Sequence, residues 1–295
     1  MKKNKLSKLR KREEKWFYIL ISPWVLGFLG ITLGPMLFSL YTSFTSWNGI
    51  STPKFIGITN YITMFTQDDQ FLSSLWLTFK YVLIAVPTSL VFALLLAVLL
   101  SRDVRGSGFF QALYYFPSIV AGTSIFIVWK YMFDPTTGVI NYLLSLLGID
   151  GPGWLASTEW AMPALIIMNL FFCGQQMLIF IAGIKQVPVS YYEAAEIDGA
   201  GPVVSFFKIT LPMLVPLIAF NLIMNMIGSI QVFSQSFVMT GGGPAKSTYF
   251  YVYYLYDTAF RYSDFSYASA MSWVMFLIIF LLSMLVLKMS KNASE

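Results

Sequence analysis

From Tyr81 to Leu100 the chain runs for twenty residues without a charged side chain. At about 1.5 Å per residue, a helix of that length crosses the roughly 30 Å hydrocarbon core of a bilayer. Lipid offers no partner for a bare backbone N–H or C=O, so a run of this kind is compatible with a membrane helix and with little else. Comparable runs recur near 16–44, 110–133, 160–184, 211–238 and 267–287, which makes six expected spans, 78–100 being the cleanest. The first follows a very basic leader, but it is too long for a signal-peptide core and no A-x-A cleavage pattern follows it, so it reads as a retained anchor. With 57% hydrophobic and 11% charged residues, the composition agrees. A soluble domain carries about a quarter charged residues.

The remaining charge sets an orientation. The leader 1–15 holds eight lysines and arginines, and the 101–109 loop, the 185–210 loop and the tail 288–295 add two each, fourteen in all. The opposite side has five, with seven acids. Both termini are therefore expected in the cytoplasm, around one membrane domain over 16–287. Nucleic-acid binding is a poor reading of the +5 net charge, because the basic cluster is a short leader joined to a span. Histidine is absent, which removes imidazole bases, most catalytic zinc sites and histidine proton relays, and the single Cys173 permits no internal disulfide.

The 185–210 loop is too polar to span and too patterned to be a tether. Pro188 stops the preceding span, and Ser190 with Glu193 three residues on has the spacing of a capping box. Ala194 and Ala195 follow, Gly199 stands where a C-cap belongs, and Gly201-Pro202 forces a turn. The expectation is a helix of two to three turns, then a break, then a second helical stretch from Val203 to Leu211. Ala195 and Gly199 leave one face nearly bare for another helix or groove, while Glu193, Glu196 and Asp198 offer negative charge to a basic partner. A plain surface helix capped by Glu193 has the same pattern.

The string Glu193-Ala194-Ala195, then Gly199, Ile209 and Leu211-Pro212 resembles the EAA loop of binding-protein-dependent ABC importer permeases at every fixed position. The run "AEIDGAGPVVSFFKITLPML" and the later "MTGGGPAKST" (239–248) are most similar to the carbohydrate branch, the maltose-type inner-membrane subunits. The fold this implies is an all-α integral membrane protein of a bacterial or archaeal cell membrane. It would have six transmembrane helices and an EAA-type coupling helix on the cytoplasmic side between spans 4 and 5. The resemblance also implies an assembly with a second, similar permease subunit, two ATPase subunits holding ATP and Mg, and an extracytoplasmic binding protein. Glu193, Ala194, Ala195, Asp198 and Gly199 would meet the ATPase. No G-x-x-x-x-G-K-[ST] occurs in the chain, so the energy is expected from that partner rather than from an enzyme activity of its own.

A pathway needs polar groups facing inward at midplane depth. Asn221, Asn225 and Ser229 lie at i, i+4 and i+8 with Gly228 beside them; Asn169, Gln175 and Gln176 stand in the fourth span near Phe171 and Phe172. The third span has Ser118, Gly122, Thr123 and Ser124. All are neutral, as suits an uncharged, hydroxylated solute such as a sugar. The resemblance would put sugar contacts at Asn225, Gly228, Ser229, Val232, Met168, Phe171 and Phe172, and also at Ser118 and Gly122. Val232 and Met168 are apolar where the maltose-type pattern has amides, which argues against maltose itself. Each polar residue has interhelical packing as its alternative role. A permease for a peptide, phosphate or an ion shares the EAA loop. A secondary transporter is disfavoured because the span interiors contain no Asp, Glu or His. A membrane enzyme would have to use acids such as Asp68-Asp69, Asp257 or Asp264, which lack a neighbouring nucleophile or metal-ligand pattern; Asp68-Asp69 reads better as a helix start.

Overall fold

The structure, a computed structural model, describes residues 2–102, 105–120 and 122–294, with side chains described from 9 to 291. The leader lysines Lys2, Lys3, Lys5 and Lys8 therefore have side chains outside the described residues. Helix dominates, with one exception to the all-α expectation: Thr45–Ser46 pairs antiparallel with Lys54–Phe55. The chain divides into two compact units, one made of residues 1–64 and 258–274, the other of 65–257 and 275–295.

In the smaller unit a helical segment, Leu9–Thr42, is long and apolar enough to span, and its apolar window is not buried within the chain. It passes through a π-helical stretch at Phe28–Leu33. Hydroxyls finish it: Thr42 Oγ1 donates to Ser269 Oγ at 3.1 Å, and Thr45 and Ser266 share a hydrogen bond of 2.9 Å. Asn60 Nδ2 donates to the Ser43 and Thr45 carbonyls, satisfying backbone at the hairpin base.

The larger unit is organised around the helix Asp69–Leu100. The Asp68 carboxylate accepts the Phe71 N–H at 3.0 Å, so this acidic pair is a helix start, as its sequence suggests. Ala85, Ser89, Ala93 and Ala97 recur at intervals of four and are all buried. That stripe lets other helices come close, where lipid itself supplies no hydrophobic drive for association. Ala93 and Ala97 pack with Cys173, Met177 and Phe180, while Tyr81 and Ala85 pack with Phe126, Leu165 and Met168. Val86 meets Met226 and Ile230, with Met275 and Ile279 from the last helix, Phe265–Ser294, closing the cluster.

The six apolar runs do not form six straight helices. Leu9–Thr42, Asp69–Leu100 and Phe265–Lys291 are uninterrupted. The other three runs are broken pairs: Ser107–Ser118 with Gly122–Met132, Ala161–Leu170 with Gly174–Gln186 bent by 44°, and Pro202–Met213 with Val215–Ile230 bent by 67°. The expected fifth span at 211–238 is corrected accordingly. Its straight part is Val215–Ile230, and Ser234–Met239 is a separate short helix. Pro212 and Pro216, each near the start of a helical segment, account for the first break, because proline is accommodated in a first turn and not inside one.

At the bend in the fourth run Gly174 is required by space. A Cβ there would overlap the Tyr114 carbonyl oxygen and lie 2.7 Å from its carbon and 2.8 Å from Tyr115 Cα, backbone that has no freedom to yield. Gly174→Ala should cost about 2 kcal/mol by overpacking, read as a fall of several degrees in the melting temperature of the purified protein in detergent. Gly228→Ala, where a Cβ meets no atom within 4 Å, should leave it unchanged.

Candidate coupling helix and polar recess

The helix Val189–Ile197 begins two residues before the place its sequence indicates, with Pro188 and not Ser190 at the N-cap. Pro188 is its N-cap, extended at ψ 132°, with no side-chain hydrogen bond to the first turn. The capping box expected from Ser190 and Glu193 is therefore corrected. Pro188 already breaks the preceding helix and has no N–H to satisfy, so winding starts at Val189 and Ser190 falls inside the first turn. Glu193 is left exposed, free of a capping role.

The C-terminal end follows expectation. Gly199 adopts φ +76°, the Ala200 N–H reaches the Ala195 carbonyl at 2.8 Å, and the Gly199 N–H reaches that of Glu196 at 3.0 Å. This is the paired closure of a Schellman motif, which needs a residue at ease in the left-handed region. Gly201 is extended and Pro202 opens the next helix. No residue of Val189–Ile197 is buried. Glu193, Ala194, Asp198 and Gly199 are exposed and Ala195 half-buried, so the five residues singled out by sequence share one accessible helix and its cap. Ile197 is 87% exposed and Val189 also lies open.

The second constellation is a recess of about 370 Å³ between the Gly122–Met132 helix and the end of Val215–Ile230. Gly122, Thr123 and Phe126 form one wall; Gly228, Gln231 and Gln235 stand in the other, with Val232, Phe233 and Ser234. A Cβ on Gly228 would point into open space. Phe171 is exposed at 42%, edge-on to Trp129 with centroids 5.5 Å apart, and Phe172 packs edge-on to Phe126 at 6.0 Å. The rings of 126, 129, 171 and 172 thus make one aromatic group beside the recess.

The remaining pathway candidates are placed differently. Asn221, Asn225 and Ser229 are buried, with Ser229 Oγ donating to Asn225 Oδ1 at 3.2 Å. The Nδ2 groups of Asn221 and Asn225 have no hydrogen-bond partner among the described residues. Met168 is fully buried and Val232, which also borders the recess, nearly so, both in the cluster around Tyr81. Ser118 is exposed in the 3-10 turn Phe116–Ser118, away from the recess lining. Gln176 accepts a hydrogen bond from Ser89 Oγ at 3.1 Å, a packing role. Phe126 and Trp129 were not singled out by sequence; their spacing with Phe133, at i, i+3 and i+7, marks a continuous aromatic helix face that could have found them.

The acids available to an enzymatic reading are engaged in structure. Asp257 Oδ2 accepts the Tyr249 hydroxyl at 2.7 Å, and Asp264 Oδ1 accepts the Tyr267 N–H at 2.9 Å. Asp134 accepts backbone and side-chain donors from Thr137 and Thr136, which hold its carboxyl down to about 2. The Gly241–Pro244 turn closes on Thr248, whose Oγ1 donates to the Gly243 carbonyl and is bonded to Thr240 Oγ1 at 2.7 Å.

Comparison with known proteins adds to this geometry. The family described as binding-protein-dependent transport system inner membrane component matches residues 101–292, a range holding both constellations. The probable ABC transporter permease protein YesP of Bacillus subtilis (strain 168) is 43% identical over 277 residues, 92% of this chain and 89% of that protein. The probable starch degradation products transport system permease protein AmyD of Thermoanaerobacterium thermosulfurigenes is 29% identical over 271 residues, 92% of each. Among solved structures, a chain of a bacterial ABC transporter involved in the import of the acidic polysaccharide alginate shares the fold. Its TM-score is 0.84 at 23% identity, covering 99% of this chain and 100% of that one.

An unpaired buried amide N–H is expensive, and removing it with an apolar side chain of similar shape relieves the cost. Asn221→Leu should therefore match or exceed the parent in thermal unfolding, by up to about 1 kcal/mol. A clear drop in melting temperature would show that the Asn221 amide has a stabilising partner.

Proposed function

The chain belongs to the family of binding-protein-dependent transport system inner membrane components, the ABC transporter permeases, and on that premise we propose that it forms half of the transmembrane pathway of an ATP-driven sugar importer. The other half is a second permease subunit, and the sugar or oligosaccharide is delivered by an extracytoplasmic binding protein. ATP and Mg reside on two separate ATPase subunits, so this chain is a transport component and not an enzyme. Both termini and the Val189–Ile197 helix lie on the cytoplasmic side, as the fourteen-to-five bias of basic residues favours.

The observation that carries the coupling role is the helix itself. It ends in a positive-φ glycine, exposes Glu193 and Asp198, and leaves small residues and Ile197 uncovered. Small residues permit close seating in a cleft, the acids pair with basic side chains of the ATPase, and the apolar tip gains from burial. For the cargo, the recess supplies neutral donors and acceptors, Thr123, Gln231, Ser234 and Gln235, beside aromatic rings. Amides and hydroxyls satisfy sugar hydroxyls, and ring faces cover the apolar face of a pyranose. A starch-product permease among the relatives supports that class. The lining is uncharged, which favours a neutral sugar over a phosphorylated or peptidic solute.

In vesicles reconstituted with the second permease, the ATPase and a candidate binding protein, Glu193→Lys and Gly199→Val should each lower ATP-dependent uptake by at least about tenfold. The amount of membrane-inserted protein should stay unchanged. Wild-type uptake by both variants overturns the coupling role. Over a panel of neutral sugars, Gly228→Phe should stop uptake by filling the recess, and Asn225→Ala and Ser229→Ala should change it for at least one sugar. Unchanged uptake in all three reduces these residues to packing.

A further inference from the structure

The Val189–Ile197 helix has no buried residue, so packing holds it weakly. Beneath it lies a cavity of about 390 Å³, walled by Val98 and Ser101 at the end of the Asp69–Leu100 helix, by Ile184, and by Pro202 and Phe206 of the following segment. A push on the helix has little solid contact to act through. The covalent route onward turns through Gly199 at φ +76° and Gly201, two residues with no side chain to brace the joint.

One polar contact crosses this gap. The hydroxyls of Tyr192 and Thr210 share a hydrogen bond of 2.8 Å, and among the described residues it is the one side-chain hydrogen bond leaving this helix for another. Its far end is firm: Thr210 is 5% exposed. Thr210 closes the π-helical turn Phe206–Thr210, a rare winding that is frequent at functional sites. Its carbonyl accepts the Leu214 N–H at 3.1 Å, and Leu214 is the residue at the 67° break between Pro202–Met213 and Val215–Ile230. The bond therefore runs from the surface helix to the bend of the helix that carries Gly228.

We infer that Tyr192 is the positioning residue that transmits displacement of the coupling helix to the break at Leu214, through its hydrogen bond to Thr210. This rests on the coupling role proposed above. Tyr192 and Thr210 both line the cavity and their hydroxyls make the joint, so the helix moves the fifth-span segment as a lever and does not merely swing on its glycines.

The test uses the full reconstituted transporter and measures substrate imported per ATP hydrolysed, with co-purification of the ATPase as a second readout. Tyr192→Phe and Thr210→Val should each lower the import-to-hydrolysis ratio by about fivefold, the loss of one hydrogen bond's bias on a two-state element. ATPase co-purification and melting temperature should be unchanged. The double variant should be no worse than either single one, and Thr210→Ser should keep the parental ratio. Parental ratios in both single variants, or additive losses in the double, overturn the inference. Glu193→Lys separates the two readings: if it loses ATPase co-purification while Tyr192→Phe keeps the parental ratio, the coupling helix stands and the tether falls. If Glu193→Lys transports normally, the coupling role itself fails.

Discussion

The close approach of helices onto Asp69–Leu100 is the constraint from which the rest of the larger unit follows. Within a bilayer, two apolar helices gain nothing by leaving lipid for each other unless their surfaces fit better than lipid fits either. Ala85, Ser89, Ala93 and Ala97 provide that fit by presenting almost no side chain at four successive turns. Tyr81, one turn before Ala85, and Val86 beside it join the stripe to the clusters around Leu165 and Met226. Gly174 plays the complementary part on the fourth run, where the backbone of Tyr114 occupies the place of a side chain. Bulk at the stripe would push apart helices that the recess needs close together.

That scaffold makes the three broken runs tolerable. A bend inside a membrane exposes carbonyl and amide groups that lipid cannot satisfy, so it survives only where protein covers it or water reaches it. The uninterrupted helices carry the small-residue packing and the outer surface. The broken ones reach the two constellations: Gly122 begins the second half of the third run, Phe171 and Phe172 stand in the gap of the fourth, and Leu214 marks the break of the fifth. The irregular backbone is thus concentrated where a pathway has to be lined or altered in shape, and regular helix is kept where rigidity is wanted.

Much of this was legible in the residues, in unequal measure. Hydropathy found every apolar run, because span length is set by bilayer thickness and leaves a signal of twenty residues. It could not find the bends. A bent pair and a straight helix have the same mean hydropathy, and the clues, Pro212 and Pro216 or Gly174, are single residues inside greasy text. The closing glycine of the Val189–Ile197 helix was legible because positive φ has a strong residue preference, and Gly199 satisfied it. The capping box was misread, since Ser-x-x-Glu spacing signals a helix start only if nothing upstream starts it first, and Pro188 did. The recess was half-legible: Gly122 and Gly228 stood out, whereas the ring set at Phe126 and Trp129 depends on two helices meeting.

The two glycines that follow the Val189–Ile197 helix and the hydroxyl pair beneath it make opposite mechanical demands. Gly199 and Gly201 leave the joint without side chains to brace it, which in the proposed coupling role would let the exposed helix seat itself in a partner without dragging the membrane segments out of register. A joint of that kind by itself would also dissipate any force the partner returned. Conformational work reaches a distant site only through contacts that differ between two states of a bistable element. In the proposed tether the π-turn at Phe206–Thr210 and the break at Leu214 would serve as that element, since the Thr210 carbonyl accepts the Leu214 N–H at the break while the Thr210 hydroxyl is bonded to the helix. In the proposed tether, a helix joined onward through two glycines and tied by one directional bond would dock freely and still pull along a single line, toward the Val215–Ile230 segment that carries Gly228.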